Sequence, residues 1–245
     1  NTRSTISNIR KMLSQAEKGG VQNTIQNCVT VLQNDPILAD SIRLNLLSER
    51  IDIVKPMGWQ RSGPTLTDTD MMYILRRMEK YGLYSEKRVS AAIRIVANEN
   101  HYHPIRDYLN DLKWDGTARI SRALHRFLGA AKDELTTEAL KIFLLGAIKR
   151  VFHPGCKFEM MLCLVGGQGA GKSSFFRLLA IKDEWFSDDL RRLDDDNVFR
   201  KLQGHWIMEM SEMIATANAK SIEEIKSFLS KQKETYKIPY ETHPA

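Results

Sequence analysis

The sequence predicts an α/β core preceded by a mainly helical module, and three observations support that division. The apolar run at residues 160–165 leads into a glycine-rich turn and then an amphipathic segment, the pattern of a strand, a loop and a helix. Before residue 116, apolar residues recur mainly at helical spacing. Downstream, the aliphatic run at 206–208 ends in a carboxylate, as a second core strand would. We therefore predict a helical module over residues 1–115 and an α/β core over residues 116–245.

The N-terminal module is predicted from periodicity and from helix start signals. Helices are expected over residues 6–17 and 21–32, and alternating apolar residues between positions 42 and 53 predict a short pair of strands. Thr67, with Asp70 three positions later, is typical of a capping box at the start of a helix. Two further helices are predicted before residue 115, so the module is helical with one small hairpin.

The core opens with two predicted helices, over residues 118–128 and 137–152, because apolar residues share one face of each. The run at 160–165 is predicted to be a buried strand, with Cys163 inside it. The three cysteines of the chain are odd in number and lack CxxC spacing, which indicates reduced thiols rather than a disulfide framework.

Composition narrows the class of protein. Hydrophobic residues make up 42% of the chain and charged residues 27%, as in globular proteins. No apolar run approaches the ~20 residues of a membrane helix, so we expect a cytoplasmic protein without a membrane partner. The net charge of +6 is compatible with a polyanionic partner but does not identify one.

The turn after residue 165 matches the spacing G-x-x-x-x-G-K-[ST] of a phosphate-binding loop, or P-loop. Glycines permit a close approach of phosphates, and amide groups at a helix N-terminus attract anions. A lysine at this position reaches the β and γ phosphates, and the next hydroxyl binds Mg²⁺. The alternative is a structural loop, but the flanking strand and helix patterns favour nucleotide binding. We assign nucleotide contacts to Gly166, Gly167, Gln168, Gly169, Ala170, Gly171, Lys172, Ser173 and Ser174.

A P-loop ATPase also needs a carboxylate for its magnesium ion and a group that positions water. Glu209 ends the run at 206–208, and we assign it to the metal together with Ser173. Glu212 is the candidate for orienting water. The competing interpretation is that both glutamates are solvated strand-end carboxylates. A second competitor is the acidic run at 194–196, which no apolar strand precedes, so it is more typical of a solvated loop.

A basic stretch with interleaved tyrosines follows residue 230. Lysines neutralise phosphates and tyrosine rings stack on unpaired bases, although lysines are also common on ordinary solvated surfaces. The nucleic-acid candidates in this stretch are Lys231, Lys233, Tyr236 and Lys237.

Several stretches together resemble a known family, the virulence-associated protein E (VirE/VapE) proteins of phages and their satellites. Besides the glycine-rich loop, the resemblance rests on residues 103–109, 114–120, 154–159, 206–212, 225–230 and 236–240. Among them are His103-Pro104-Ile105-Arg106-Asp107-Tyr108-Leu109, Trp114-Asp115-Gly116 and Trp206-Ile207-Met208-Glu209-Met210-Ser211-Glu212.

The resemblance implies a P-loop NTPase core similar to superfamily-3 (AAA+-like) helicases, using ATP and Mg²⁺. It further implies an ATPase that acts on single-stranded or forked DNA in phage or satellite replication. Such proteins assemble as homo-oligomers, in some cases as rings, and work with phage or host replication proteins. The resemblance also implies a sensor strand and an arginine-bearing segment after residue 245, so turnover by this chain alone is left open. The alternative is a nucleotide-gated DNA- or protein-binding initiator or interference factor with little motor activity.

Overall fold

The computed structural model describes residues 2–190, 198–211 and 219–230. The chain divides into two compact units, Asn1–Pro104 and Ile105–Ala245. Each unit has its own hydrophobic cluster and its own small sheet.

The first unit is helical with one antiparallel strand pair. Its elements are α1 (Thr2–Met12), α2 (Ile25–Asn34), β1 (Ile42–Asn45), β2 (Arg50–Ile53), α3 (Asp68–Glu79) and α4 (Glu86–Glu99). The strand pair lies where alternation predicts it, with Ile42 opposite Ile53. Both of these side chains are buried, because one face of the hairpin packs on the helices.

Helix α1 ends five residues earlier than predicted and α2 begins four residues later, because a buried amide organises the segment between them. The Asn27 side chain accepts a hydrogen bond from the Ser14 amide at 3.0 Å and donates to the carbonyls of Ser14 and Gln22 at 3.0 and 2.7 Å. The residues between the helices therefore wrap around this side chain instead of extending α1. Thr24, whose hydroxyl accepts from the Asn27 amide, then caps α2.

The predicted capping box at the start of α3 is present and belongs to a larger polar network. Thr67 accepts from the Asp70 amide, and Asp70 accepts from the Thr67 amide. Asp70 also accepts hydrogen bonds from Trp59 and Arg61, both at 2.8 Å. Burial raises the pKa of Asp70, but these hydrogen bonds outweigh that effect and hold the pKa well below its usual range.

A second buried carboxylate joins α2 to α3. Asp35 is fully buried, accepts two hydrogen bonds of 2.9 Å from the Arg77 guanidinium, and accepts a third of 2.6 Å from the Tyr81 hydroxyl. Desolvation raises the pKa of Asp35, whereas the bonds from Arg77 and Tyr81 lower it, and the net pKa is below its ordinary value. The carboxylate is therefore charged and paired inside the core.

The second unit contains the predicted core helices and a two-stranded parallel sheet. Its elements are α5 (Pro104–Asp111), α6 (Ile120–Leu128), α7 (Glu134–Phe152), α8 (Lys172–Leu179), a 3₁₀ turn (Asp183–Trp185), β3 (Phe186–Ser187), α9 (Val198–Leu202), β4 (Ile207–Met208) and α10 (Ala219–Ser230). Helix α7 begins earlier than predicted because Asp133 caps it, accepting from the Thr136 amide at 2.8 Å.

The division between the units falls after Pro104, the first residue of α5, whereas the sequence predicts a boundary after residue 115. Contacts within the second unit explain the earlier position. Arg106 donates to the Val151 carbonyl at 2.7 Å, and the Tyr108 ring meets Trp185 edge-on with centroids 5.7 Å apart.

Residues 160–165 belong to no helix or strand in the structure. Within the described part of the chain, no backbone hydrogen bond joins this run to any other residue. Val165 is 79% exposed and Met160 54% exposed. Cys163 is exposed as well, so the prediction that it is buried is wrong. The reason is physical: a strand is defined and covered by its neighbours, and no described residue pairs with this run.

Candidate phosphate-binding site

The glycine-rich turn at 166–171 connects the apolar residues 160–165 to the N-terminus of α8. Gly169 and Gly171 have φ of +78° and +81°, in the left-handed region that favours glycine. A Cβ placed on Gly167 or Gly169 would meet no atom within 4 Å, so the backbone there is open to a ligand. Gly171 precedes the first residue of α8, whose leading amide groups have no partner within the helix. The turn therefore presents donors to an anion.

Lys172 extends back across this turn. Its ammonium group donates to the carbonyls of Gly166 and Gly167, both at 2.8 Å. The ammonium thus lies over the same backbone that faces the open side of the turn. Phosphate oxygens placed there would exchange with these carbonyls as acceptors, since an ammonium has three donors.

Ser173 and Glu209 are 36 positions apart in the sequence and meet in the structure. The Ser173 hydroxyl donates to Glu209 Oε1 at 2.7 Å. Glu209 directly follows β4, and its amide donates to the Ser187 carbonyl at 2.8 Å, which continues the parallel pairing of β3 and β4. The sheet therefore places the carboxylate that sequence analysis assigns to the metal beside the hydroxyl assigned to the same ion.

The second carboxylate oxygen of Glu209 is the feature that suits a cation. Glu209 Oε2 is buried and has no hydrogen-bond partner among the described residues. An unpaired buried carboxylate oxygen is costly unless a ligand satisfies it. No cluster of three or more His, Cys, Asp or Glu side chains fit for a metal occurs in the described ranges. One carboxylate and one hydroxyl are the sparse oxygen set with which Mg²⁺ is held when it keeps waters and phosphate oxygens.

A cleft of about 880 Å³ adjoins these groups. Its polar end is formed by Gly166, Gln168, Lys172, Glu209 and Ser211. Its walls are mostly apolar, and come from α7, the run at 160–165, β4 and α10. The cleft can therefore take a ligand with a charged end and a flat apolar body.

The remaining predicted site residues divide into two groups. Ala170 lies in the turn, and Ser174 lies in the first turn of α8. Others lie outside the described residues, namely Glu212, Lys231, Lys233, Tyr236 and Lys237, together with the acidic run at 194–196.

Sequence reasoning missed one neighbour of the turn. Leu128, the last residue of α6, lies with its Cδ2 at 3.9 Å from where a Cβ on Gly171 would be. Leu124 of the same helix packs in one cluster with Phe175 of α8. The spacing of these two leucines before Gly129 indicates a helix face, but nothing local indicates what that face contacts.

The site thus combines an open glycine turn at a helix N-terminus, an ammonium group over it, and a hydroxyl paired with a carboxylate, which suit an anion beside a cation. Comparison with known families agrees with the sequence resemblance. The virulence-associated protein E-like domain matches residues 109–245, and the chain belongs to that family. Membership links the chain to phage- and virulence-associated proteins. The sequence matches none of the curated proteins with which it was compared. Within the described ranges, no helix combines the length and apolarity needed to span a bilayer.

Proposed function

We propose that this protein binds ATP with Mg²⁺ and hydrolyses it as a superfamily-3-like P-loop ATPase acting on DNA in phage or satellite replication. The observation that carries the proposal is the meeting of Ser173 and Glu209 at 2.7 Å beside the glycine turn, with Glu209 Oε2 buried and without a hydrogen-bond partner among the described residues. Two residues this far apart in sequence are brought together only by the fold. Their chemistry is that of a magnesium site next to a phosphate site.

Each group in the site has a distinct role in this proposal. The amides at the start of α8 and the Lys172 ammonium hold the phosphate oxygens and offset their charge. Ser173 and Glu209 provide oxygen ligands, and the bound Mg²⁺ supplies electrostatic stabilisation of the leaving phosphate. The apolar walls of the cleft cover the base and sugar. Glu212 remains the proposed group for orienting water.

The proposal is tested by Lys172→Ala in a titration with a fluorescent ATP analogue. Loss of the ammonium group is expected to weaken nucleotide binding by about tenfold or more, because charge-assisted hydrogen bonds to phosphate contribute roughly 1.5–3 kcal/mol. The melting temperature should be unchanged, since Lys172 bonds only to carbonyls of the open turn. Lys149→Ala removes the same charge from an exposed side chain of α7. This variant is the control and should bind nucleotide normally. Unchanged affinity in Lys172→Ala would refute the site.

One observation favours a second function, a nucleotide-gated initiator or interference factor with little turnover. Among the described residues that line the cleft, Glu209 is the single carboxylate. Binding needs no more than this, whereas hydrolysis also needs a group that positions water. Single-turnover hydrolysis, measured with and without single-stranded DNA, separates the two functions. Stable binding without product formation in either condition would select the gated binder.

A further inference from the structure

Helix α6 carries a stripe of arginines on the side opposite its buried leucines. Arg119, at the N-cap, and Arg122 and Arg126 are spaced i, i+3 and i+7, so they share one side of the helix. All three are exposed, whereas Leu124 is 5% exposed and Leu128 is partly buried. We call the three arginines the α6 ridge. The helix is thus amphipathic, and its exposed side carries the three arginines and no acidic residue.

The charge of the ridge is only partly neutralised. Residues 116–132 contain no aspartate or glutamate. Arg119 pairs with Asp115 at 2.6 Å. Within the described part of the chain, no carboxylate pairs with Arg122 or Arg126. The Arg126 guanidinium instead lies over the Phe127 ring, 5.6 Å from its centroid, in a cation–π contact. Arg122 and Arg126 are therefore two neighbouring positive charges without a carboxylate partner among the described residues, an arrangement that attracts a polyanion.

Two solvent-exposed aromatic side chains accompany the ridge: Phe127 contacts Arg126, and Trp114 lies five residues before Arg119 in the sequence. Trp114 is 82% exposed and Phe127 is 65% exposed. Among the described residues, Trp114 stacks on no other ring and receives no cation. Exposed rings beside unpaired arginines form the combination with which proteins bind single strands, since phosphates meet the cations and unpaired bases stack on the rings. A duplex offers no free base faces for such stacking.

We propose that α6 and the turn before it bind single-stranded nucleic acid. Arg122 and Arg126 contact phosphates, and Trp114 and Phe127 stack on bases. This inference rests on the proposed function, for which it supplies a nucleic-acid surface within the described residues. The buried side of the same helix reaches the phosphate-binding turn through Leu128 and Gly171, so one helix borders both ligands.

The test is fluorescence anisotropy with a labelled oligothymidylate of about 16 nucleotides, the upper site size of a small single-strand-binding fold. Affinity is measured over a range of salt concentrations for the wild type and for the double variant Arg122→Gln, Arg126→Gln. Loss of two phosphate contacts should reduce the salt slope by about 1.4, at ~0.7 per contact on a single strand. The control is the double variant Lys87→Gln, Arg94→Gln, which removes the same charge from two exposed side chains of α4. This control should keep the wild-type salt slope.

Three further variants separate the contribution of charge from that of base stacking. Arg122→Lys with Arg126→Lys keeps the charge, so its slope should stay near that of the wild type. Trp114→Leu and Phe127→Leu should each weaken binding by about 5- to 150-fold, the loss of one base stack, with little change in slope. A matched oligouridylate shows whether the strand is DNA or RNA.

The outcomes distinguish this inference from the proposed function. An unchanged slope in the Arg122→Gln, Arg126→Gln variant, or tighter binding of duplex than of single strand, would overturn the surface. Loss of ATP turnover in that variant with normal oligonucleotide binding would assign the ridge to nucleotide instead and also overturn it. Wild-type protein that binds nucleotide but no oligonucleotide contradicts only the ridge. Ridge-dependent oligonucleotide binding without nucleotide binding supports the ridge and contradicts the phosphate site.

Discussion

Replacing Glu209 by glutamine separates the magnesium role of this residue from its structural role. The amide keeps a carbonyl that can accept from the Ser173 hydroxyl, which lies 2.7 Å from Glu209 Oε1 in the wild type. It removes the charge from the buried Oε2, which has no partner in the described part of the chain. A neutral buried polar group costs less than an unpaired charged one, so the variant should be more stable by about 1 kcal/mol. The factor by which magnesium strengthens nucleotide binding should fall by ~10- to 100-fold or more. Loss of a residue that only supports a metal ligand already costs that much, and Glu209 is proposed as a ligand itself.

The assay is a nucleotide titration in magnesium and in chelator, beside a thermal melt of the same protein. Glu159→Gln is the control, because this glutamate is exposed and pairs only with Lys157 at 3.2 Å. A double variant of Ser173→Ala and Glu209→Gln should lose no more affinity than the worse single variant, since both remove the same ion. If Glu209→Gln keeps its full response to magnesium, the assignment of this carboxylate is wrong.

Three further predictions concern stability. Arg77→Met leaves Asp35 buried without its guanidinium partner, so it should cost ~3–5 kcal/mol in urea unfolding; a loss below ~1 kcal/mol would contradict this pairing. Burial raises the pKa of Asp35 and Asp70 but hydrogen bonds lower it further, and the net pKa of both is below the unfolded value of ~3.9. The contribution of the two carboxylates to the free energy of unfolding should therefore be complete above about pH 4 and be lost as the pH falls through their lower folded pKa. Urea unfolding measured over a series of acidic pH values would show this loss. Ile181 has φ of +70°, where a side chain costs about 1–2 kcal/mol, so Ile181→Gly should melt above Ile181→Ala; the usual order, with alanine more stable, would show that no strain is present.

Local signals account for what could be predicted in the first unit. The capping box of Thr67 and Asp70 depends on residues three positions apart, and α3 begins where the sequence indicates. The ends of α1 and α2 could not be predicted, because Asn27 fixes them through bonds to Ser14 and Gln22 that no local pattern reveals.

The candidate site shows the same limit. Spacing located the glycine turn, and an aliphatic run followed by an acid located Glu209. The burial of Glu209 Oε2 depends on the assembled sheet and is invisible in the sequence. The assumption that an apolar run must be a buried strand failed at Cys163, because burial depends on neighbours elsewhere in the chain. The α6 ridge was missed because periodicity identifies a helix without identifying its outer charge as a surface.

The backbone of residues 160–165, which forms no backbone hydrogen bond within the described part of the chain, has a practical consequence for experiments on this protein. Among the described residues, none pairs through its backbone with these six residues, so their amide and carbonyl groups can pair edge to edge with those of another copy. Such self-association would increase with protein concentration and would not depend on nucleotide or oligonucleotide. Sizing experiments should therefore be run as dilution series, so that adventitious strand pairing is not mistaken for a ring.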